Sequence, residues 1–300
     1  MENLAPIVLF VYNRISHTKK TVDALKNNDL ARDSHLIVVS DGAKSENEMN
    51  SVKDVREFIK TIKGFKSINI IERDRNFGLS ASVIDGINQV FNLYDRIIAI
   101  EDDVITAPTF LSFMNKSLEY YQHNKTIFSV SGYPYPIKIP DSYNKDVFIS
   151  YRASSWGWGT WKDRWEKVDW AVKDFTSFIK DKEAQKLFNR AGEDSTPMLK
   201  AQMLGEIDSW AIRWSYSHFK NKAYCLLPTN PLCKNIGTDN SGTHSTKSDK
   251  FDVDLSDNAD AIQLTDELEI NDEIMKNLQK FMLPSVVRRI INKFKYGEHR

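Results

Sequence analysis

The sequence predicts an α/β fold, with a mixed, mainly parallel sheet flanked by helices and a C-terminal helical extension. Short apolar segments typical of buried strands alternate with longer amphipathic segments typical of helices over the first hundred residues. Polar residues close each apolar segment. This alternation indicates parallel strands joined by right-handed crossovers, with helices on both faces of the sheet.

Four strands and three helices account for this region. The first strand is PIVLFVYNR, whose continuous apolar run fits a strand buried on both faces, and the helix SHTKKTVDALKNN follows it. The second strand is HLIVVSDGA, and the amphipathic helix after it is SVKDVREFIKTIKGF, which Gly64 closes. The third strand is INIIERDRNFG, its helix is LSASVIDGINQVFNLY, and the fourth strand is RIIAIEDD.

Polar side chains follow each strand at the point where it ends. They are Arg14, Asp41, Arg75 and an acidic triplet, Glu101, Asp102 and Asp103. Ligands of open parallel sheets bind at the carboxyl ends of the strands, so we expect these side chains to line one binding site. Neither G-x-G-x-x-G nor G-x-x-x-x-G-K-[ST] follows a strand, so a phosphorylated ligand would lack the usual backbone cradle.

The acidic triplet needs an explanation, because three adjacent carboxylates at the end of a buried strand repel one another. One explanation is a solvated turn that happens to be acidic. The other is a divalent cation: Mg²⁺ and Mn²⁺ prefer oxygen ligands and commonly bridge one or two carboxylates to substrate phosphates. A cation would also offset the repulsion, so we interpret the triplet as a candidate Mn²⁺ or Mg²⁺ site.

Seven short motifs follow the predicted elements in a fixed order. They are VYNR, VSDG, EDDVITAPTFLSFM, VSGY, SSWGWGTW, EIDSWAIRW and GTDNSGTH. Together they resemble the motifs of nucleotide-sugar glycosyltransferases of the GT-A fold, in particular the N-acetylglucosaminyltransferase I type and bacterial relatives in surface-polysaccharide synthesis. The resemblance covers roughly residues 5–245, and the loop RDRNFGLSAS departs from the N-acetylglucosaminyltransferase I pattern, which leaves the donor sugar open.

The resemblance implies a donor site. Arg14 and Asp41 match residues that hold the uracil and ribose of a UDP-sugar. Glu101 and Asp102 match acids that contact the ribose and the donor sugar, and Asp103 matches the acid that binds Mn²⁺. Arg75 joins this set by its position after the third strand.

The resemblance also implies catalytic residues further along the chain. Asp208 matches the general base of an inverting transfer, and His244 falls where many GT-A enzymes place a late metal or diphosphate contact. From the residues alone, Asp208 stands at the start of an amphipathic helix, where it can be an N-cap or a base oriented towards a substrate.

All seven tryptophans lie between residues 156 and 214. The plainest interpretation is a structural aromatic cluster. The segment SWGWGTW interleaves indoles with glycines, however, and glycine lets a backbone approach a ligand closely. We therefore predict that one or both of Trp156 and Trp158 line the sugar of the donor or the acceptor.

The chain is predicted to form one catalytic domain with an extension. Residues 1–250 form the glycosyltransferase domain, with a nucleotide-sugar half at about 1–105 and an acceptor half at about 106–250. Residues 251–300 form the extension, whose end is a basic amphipathic helix. That helix can pack on the domain or lie on an anionic membrane surface.

The expected function is metal-dependent, inverting transfer of a sugar from a UDP-sugar to a hydroxyl of a glycan or lipid-linked glycan, in bacterial surface-polysaccharide synthesis. A sugar nucleotidylyltransferase is one alternative, but FVYNRISHTKK lacks the glycine-rich loop of that class. A non-catalytic carbohydrate-binding protein is another, but it needs neither the acidic triplet nor Asp208.

Composition restricts the partners and the compartment. The 41 basic and 41 acidic side chains leave no net charge, which argues against nucleic-acid binding. The apolar run near the N-terminus is too short to cross a bilayer and lacks a basic flank. We expect a cytoplasmic protein with two reduced cysteines, which can also bind peripherally to the inner face of the membrane.

Overall fold

The computed structural model describes residues 4–239, 249–256, 262–285, 291 and 295–296. Its centre is an eight-stranded mixed sheet with the strand order β3-β2-β1-β4-β8-β6-β9-β7, and β5 and β10 form a separate two-stranded ribbon. The strands are β1 Ile7–Val11, β2 His35–Ser40, β3 Ser67–Glu72, β4 Arg96–Glu101, β5 Val104–Thr106, β6 Ile127–Ser131, β7 Val147–Ser150, β8 Trp158–Trp161, β9 Tyr224–Pro228 and β10 Cys233–Asn235.

Helices cover both faces of this sheet. The α-helices are α1 Ile15–Lys26, α2 Met49–Ile59, α3 Leu79–Val90, α4 Phe110–Tyr120, α5 Lys162–Trp165, α6 Phe175–Phe178, α7 Lys182–Phe188, α8 Ser195–Met203, α9 Trp210–Lys220 and α10 Asp272–Met282. Three single 3₁₀ turns occur at Ala31–Asp33, Glu46–Glu48 and Asn189–Ala191. The α/β fold class and its mainly parallel N-terminal sheet are confirmed.

The N-terminal half has the four parallel strands that the sequence predicts. β1 lies between β2 and β4, and Ile7 is level with Leu36 and Ile98. Every residue of β1 is buried, because helices pack on both faces of the sheet. The polar residues that follow these strands therefore meet at one edge of the sheet.

The C-terminal half adds strands in mixed directions. β8 pairs antiparallel with both β4 and β6, and Gly159 sits between the two neighbours. A Cβ atom at Gly159 would lie 2.8 Å from the carbonyl oxygen of Ile97, so only glycine fits there. The β5–β10 ribbon begins directly after the acidic triplet, and its pairing of Asn235 with Val104 brings Asn235 beside the triplet.

Tryptophans dominate the core on one face of the sheet. Trp158, Trp165, Trp210 and Trp214 are each at most 2% exposed and pack together with apolar residues of β1, β4 and α3. Trp158 stacks on Trp210 with ring centroids 4.9 Å apart. The structural interpretation of the tryptophan-rich segment therefore holds for these four residues.

Part of the C-terminal extension packs on the domain. Ile274, Met275, Leu278 and Met282 of α10 are buried against a cluster that includes Phe148 of β7 and Leu227 of β9. Most of the predicted basic helix lies outside the described residues. Among the described helices, none has the length and apolar character to span a bilayer.

Candidate active site

A cavity of about 500 Å³ opens where β1, β2 and β4 end. Its walls bring together side chains that are far apart in the sequence. Of the predicted site residues, those that line it are Arg14, Asp41, Glu101, Asp102, Asp103, Trp156 and Asp208. The topology explains this convergence, because the carboxyl ends of parallel strands share one edge of the sheet.

Arg14 neutralises the acidic triplet. Its Nη2 donates to Oδ1 of Asp102 and, at 2.7 Å, to Oδ2 of Asp103. Asn235 donates from Nδ2 to Oδ1 of Asp103 at 2.8 Å, and the backbone N–H of Gly237 donates to Oδ1 of Asn235. Two side chains from distant parts of the chain, Arg14 and Asn235, thus hold the carboxylates at the end of β4, and Gly237 orients Asn235.

The triplet is electrostatically strained. Burial, together with the charges of Asp103 and Asp102, raises the pKa of Glu101 to about 8. Burial also raises the pKa of Asp102, to about 6, although the Arg14 guanidinium opposes the rise. Burial alone would lower the pKa of Arg14, but the two aspartates outweigh it and the net pKa is raised. Positive charge at this site is therefore strongly favoured.

Two polar atoms of this cluster are buried without a hydrogen-bond partner among the described residues: Oδ2 of Asp102 and Nη1 of Arg14. Such an atom costs about 1–3 kcal/mol, so its presence calls for a ligand. A divalent cation would satisfy the carboxylate, and an anionic oxygen would satisfy the guanidinium. Since Mn²⁺ and Mg²⁺ prefer carboxylate oxygens, the donor set fits either ion.

The protein alone offers few ligands for such an ion. No group of three or more His, Cys, Asp or Glu side chains in the described ranges is arranged to hold a metal. Mg²⁺ commonly binds through one or two carboxylates and completes its shell with substrate phosphates and water. A cation at Asp102 and Asp103 would therefore depend on a phosphate-bearing ligand.

Asp41 organises the loop after β3. Its carboxylate accepts backbone N–H groups of Phe77 at 2.9 Å, Gly78 at 3.0 Å and Gly42 at 2.9 Å. The side-chain amide of Asn76 donates to the same group at 3.2 Å. Asp41 thus holds the loop as a wall of the cavity, while the ribose contact implied by the resemblance stays a prediction.

Several cavity residues were missed by the sequence analysis. Tyr12 donates its hydroxyl to Oε2 of Glu48 at 2.8 Å, and Asn13 donates to Oε1 of Glu48 at 3.1 Å. Lys44 and Asn235 also line the cavity. Tyr12 and Asn13 stand inside the motif VYNR, which could have pointed to them. Glu48 does not directly follow a strand and Asn235 lies between the motifs EIDSWAIRW and GTDNSGTH, so neither carried a signal.

Asp208 precedes α9 in the chain and lies in space beside the N-terminus of α3. Its Oδ2 accepts the backbone N–H of Ser80 at 3.2 Å, and the left-handed Gly78 (φ 78°) passes close to the same oxygen. The N-cap of α9 is Ser209, whose hydroxyl accepts the N–H of Ile212. Asp208 is therefore not the cap of its own helix; it is exposed and faces the cavity.

The remaining predicted residues lie elsewhere. Trp158 is 1% exposed inside the tryptophan core and does not line the cavity, because its strand position directs the indole into the packed face. Arg75 is exposed, with its guanidinium 5.7 Å from the centre of the Phe77 ring, and does not line the cavity either. Trp156 does line it and packs edge-on against Tyr133. His244 lies outside the described residues.

Comparison with known proteins identifies a family. A model of glycosyl transferase family 2 matches residues 7–192, which is more than half of the chain. The match includes the acidic triplet and ends before Asp208. No curated protein matches the sequence.

Solved structures give weaker similarities. S. aureus TarS is 11% identical, with 51% of this chain and 26% of that chain covered and a TM-score of 0.34. A structure of TarS residues 1–349 is also 11% identical, with coverages of 76% and 60% and a TM-score of 0.40. The mannosyltransferase PcManGT from Pyrobaculum calidifontis, in complex with GDP-Man and Mn²⁺, is 15% identical, with coverages of 60% and 55% and a TM-score of 0.37. The chain thus spans between about a quarter and three fifths of these structures.

Proposed function

This chain belongs to glycosyl transferase family 2 and is a glycosyltransferase of the GT-A fold, and we propose that it transfers a sugar from a UDP-linked donor to a hydroxyl of a glycan or lipid-linked glycan. The proposed transfer depends on Mn²⁺ or Mg²⁺ and inverts the anomeric centre. We assign the catalytic machinery to residues 1–250, regard 251–300 as an extension, and place the reaction in bacterial surface-polysaccharide synthesis.

One observation supports this proposal most strongly. The acidic triplet and Asp208 are more than a hundred residues apart in the sequence, yet they line the same cavity. An inverting transfer needs positive charge where the diphosphate leaves and a base on the opposite side, where the acceptor hydroxyl attacks. The cavity offers groups for both.

At the diphosphate end, Asp102 and Asp103 would hold the cation, which neutralises the leaving diphosphate when bound. Arg14 already contacts both carboxylates, and its unpartnered Nη1 can donate to a phosphate oxygen. Asn235 keeps Asp103 in position. We propose that these side chains bind and orient the diphosphate.

At the nucleoside end, the cavity is closed by Tyr12 and Asn13, which both donate a hydrogen bond to Glu48. The Tyr12 ring offers an aromatic face to a base, and the Glu48 carboxylate offers an acceptor for a base N–H. Asp41 and the loop it holds form the adjacent wall. We propose that this end binds the uracil and the ribose.

At the reacting end, we propose Asp208 as the general base. The backbone N–H of Ser80 holds one of its oxygens, and its exposed position lets an acceptor hydroxyl reach it. A carboxylate in this position can accept the proton as the hydroxyl attacks the anomeric carbon. Trp156 is the one tryptophan of the predicted pair that remains available to contact a sugar.

The stereochemistry of hydrolysis tests the proposal. Incubation of the full chain with Mn²⁺ and an α-linked UDP-sugar should release the β-anomer first, as seen by ¹H NMR before mutarotation. Prior release of the α-anomer would contradict inversion, and metal-independent release would contradict the role of the triplet.

A further inference from the structure

A second cavity of about 450 Å³ borders the first one at Asp208. It lies between α3, α8 and α9, and we name it the acceptor groove. The residues that define it are Phe77, Ser80, Ala81, Ile84, Asp85, Asn88, Gln202, Asp208 and Arg213. Asp208 lines both cavities, so a molecule in the groove lies beside the proposed base.

The floor of the groove combines an apolar strip with an orphan hydroxyl. Ala81 and Ile84 are three residues apart on α3 and so share one helix face, and Phe77, which precedes the helix, lines the groove with them and is 37% exposed. Ser80 is 3% exposed, and its Oγ has no hydrogen-bond partner among the described residues. A buried hydroxyl without a partner beside an exposed apolar strip suits a ligand with one apolar face and several hydroxyls.

The walls of the groove supply donors and acceptors whose other atoms are fixed by the fold. Gln202 accepts the N–H of Ser209 through Oε1, which leaves its NH₂ group for a ligand. Asn88 accepts from Trp165 at 2.8 Å in the same way. Arg213 donates from Nε and Nη1 to backbone carbonyl oxygens. Its Nη2 makes no hydrogen bond to any of the described residues and can donate to a ligand.

The charges of the groove restrict its ligand. Asp85 and Asp208 are acidic, and Arg213 is the one cation that lines it. A diphosphate carrier would need a surplus of positive charge or a bound cation, and the side chains of the groove give no such surplus. Amide groups, a hydroxyl and an apolar strip suit a neutral sugar ring instead.

We infer that the acceptor groove binds the neutral sugar residue that bears the attacking hydroxyl, and that any diphosphate of a lipid-linked acceptor stays outside it. This inference rests on the proposed function, because Asp208 is assigned as the base there. It adds the site and the chemical class of the acceptor.

Ala81→Cys allows the groove to be blocked selectively. Ala81 is exposed at the groove, whereas both native cysteines are buried, so a polyethylene-glycol maleimide should react at position 81 alone. Leu93→Cys, carrying the same label, is the matched control, because Leu93 is 81% exposed beyond the other end of α3. Ala81→Trp fills the groove without a label.

Two readouts separate this inference from the proposed function. Saturation-transfer NMR with a panel of neutral methyl hexosides and N-acetylhexosaminides, in the presence of UDP and Mn²⁺, reports on the groove. UDP-sugar hydrolysis without acceptor reports on the donor cavity. Labelling at position 81, or Ala81→Trp, should reduce the saturation-transfer signal of the bound glycoside by roughly fivefold or more. The rate of UDP-sugar hydrolysis should stay within about twofold of that of the unlabelled wild type.

Three results would overturn the inference: no glycoside binds the unlabelled protein, labelling at 81 leaves saturation unchanged, or the label at 93 removes it equally. Loss of hydrolysis upon labelling at 81 would also overturn it, because the two cavities would not be separate. Failure of the proposed function looks different, since the unlabelled protein would then neither bind UDP nor hydrolyse any UDP-sugar.

Discussion

Replacing Arg14 with methionine should destabilise the fold and make its stability dependent on a divalent cation. Arg14 is 17% exposed at its side chain and supplies charge-assisted hydrogen bonds to two buried carboxylates. Each such bond contributes about 1.5–3 kcal/mol, and breaking a buried ion pair costs about 3–5 kcal/mol. Because Asp102 already has a raised pKa and can take up a proton, we expect the lower end, about 3 kcal/mol.

This free energy converts to a measurable shift. For a chain of 300 residues the entropy of unfolding is about 0.6 kcal/mol per kelvin, so Tm should fall by about 5 °C at pH 7. Added Mn²⁺ should raise the Tm of Arg14→Met by more than it raises the Tm of the wild type, because the cation replaces the missing positive charge. Differential scanning calorimetry at several Mn²⁺ concentrations measures both quantities.

Arg75→Met is the matched control. Arg75 follows β3, another parallel strand of the same sheet, but is exposed and has no ion pair within the described part of the chain, so its loss should change stability by no more than about 0.5 kcal/mol. If Arg14→Met and Arg75→Met have the same Tm, or if Mn²⁺ raises the Tm of Arg14→Met and of the wild type equally, Arg14 does not neutralise the charge of the triplet.

Three further predictions follow from the same structure. Asp208→Asn should lower turnover by about 10²–10⁴-fold with little change in UDP affinity, measured on one protein sample; near-normal turnover would remove the residue from its role as base. A chain ending at residue 270 loses the buried face of α10 and should aggregate, whereas a chain ending at residue 285 should stay folded. Comparing the binding of the 285-residue chain to anionic vesicles with that of the full chain tests the membrane prediction. Burial lowers the pKa of His218 to about 4, so the folded protein binds this proton less readily than the unfolded chain. Stability should therefore fall by up to roughly 3 kcal/mol as pH drops from about 6.5 to 4, and His218→Gln should flatten that slope in urea titrations at each pH.

The sequence predicted the parts of the site that depend on strand ends. Continuous apolar runs mark buried strands, and the first polar residue after each run is fixed in space once the strands are parallel. Arg14, Asp41 and the triplet at 101–103 are of this kind and line the cavity, whereas Arg75, which also follows a strand, does not. Asp208 was found through a motif, and the structure adds that Ser80 holds it.

The remaining features depend on tertiary pairing, which no local pattern encodes. Asn235 reaches Asp103 because β10 pairs with β5, and Glu48, in the segment after β2, reaches Tyr12 because β1 and β2 are adjacent strands. Trp156 and Trp158 look equivalent in the sequence, but the second lies inside β8, where the strand direction and register decide which face a side chain takes. Only the folded sheet shows that this face is the packed one.

The most direct test of the account measures metal-dependent donor binding by the triplet. Thermal unfolding of the full chain should be followed with a panel of UDP-, GDP- and dTDP-sugars, each with Mn²⁺ and with EDTA, in the wild type and in Asp103→Asn. We predict that a UDP-sugar stabilises the wild type only when Mn²⁺ is present, by about 2.7 kcal/mol at a hundredfold excess over Kd. Asp103→Asn should keep its fold and lose most of this stabilisation. Equal stabilisation of the variant, or stabilisation of the wild type in EDTA, would contradict the assignment of this cavity as a metal-dependent nucleotide-sugar site.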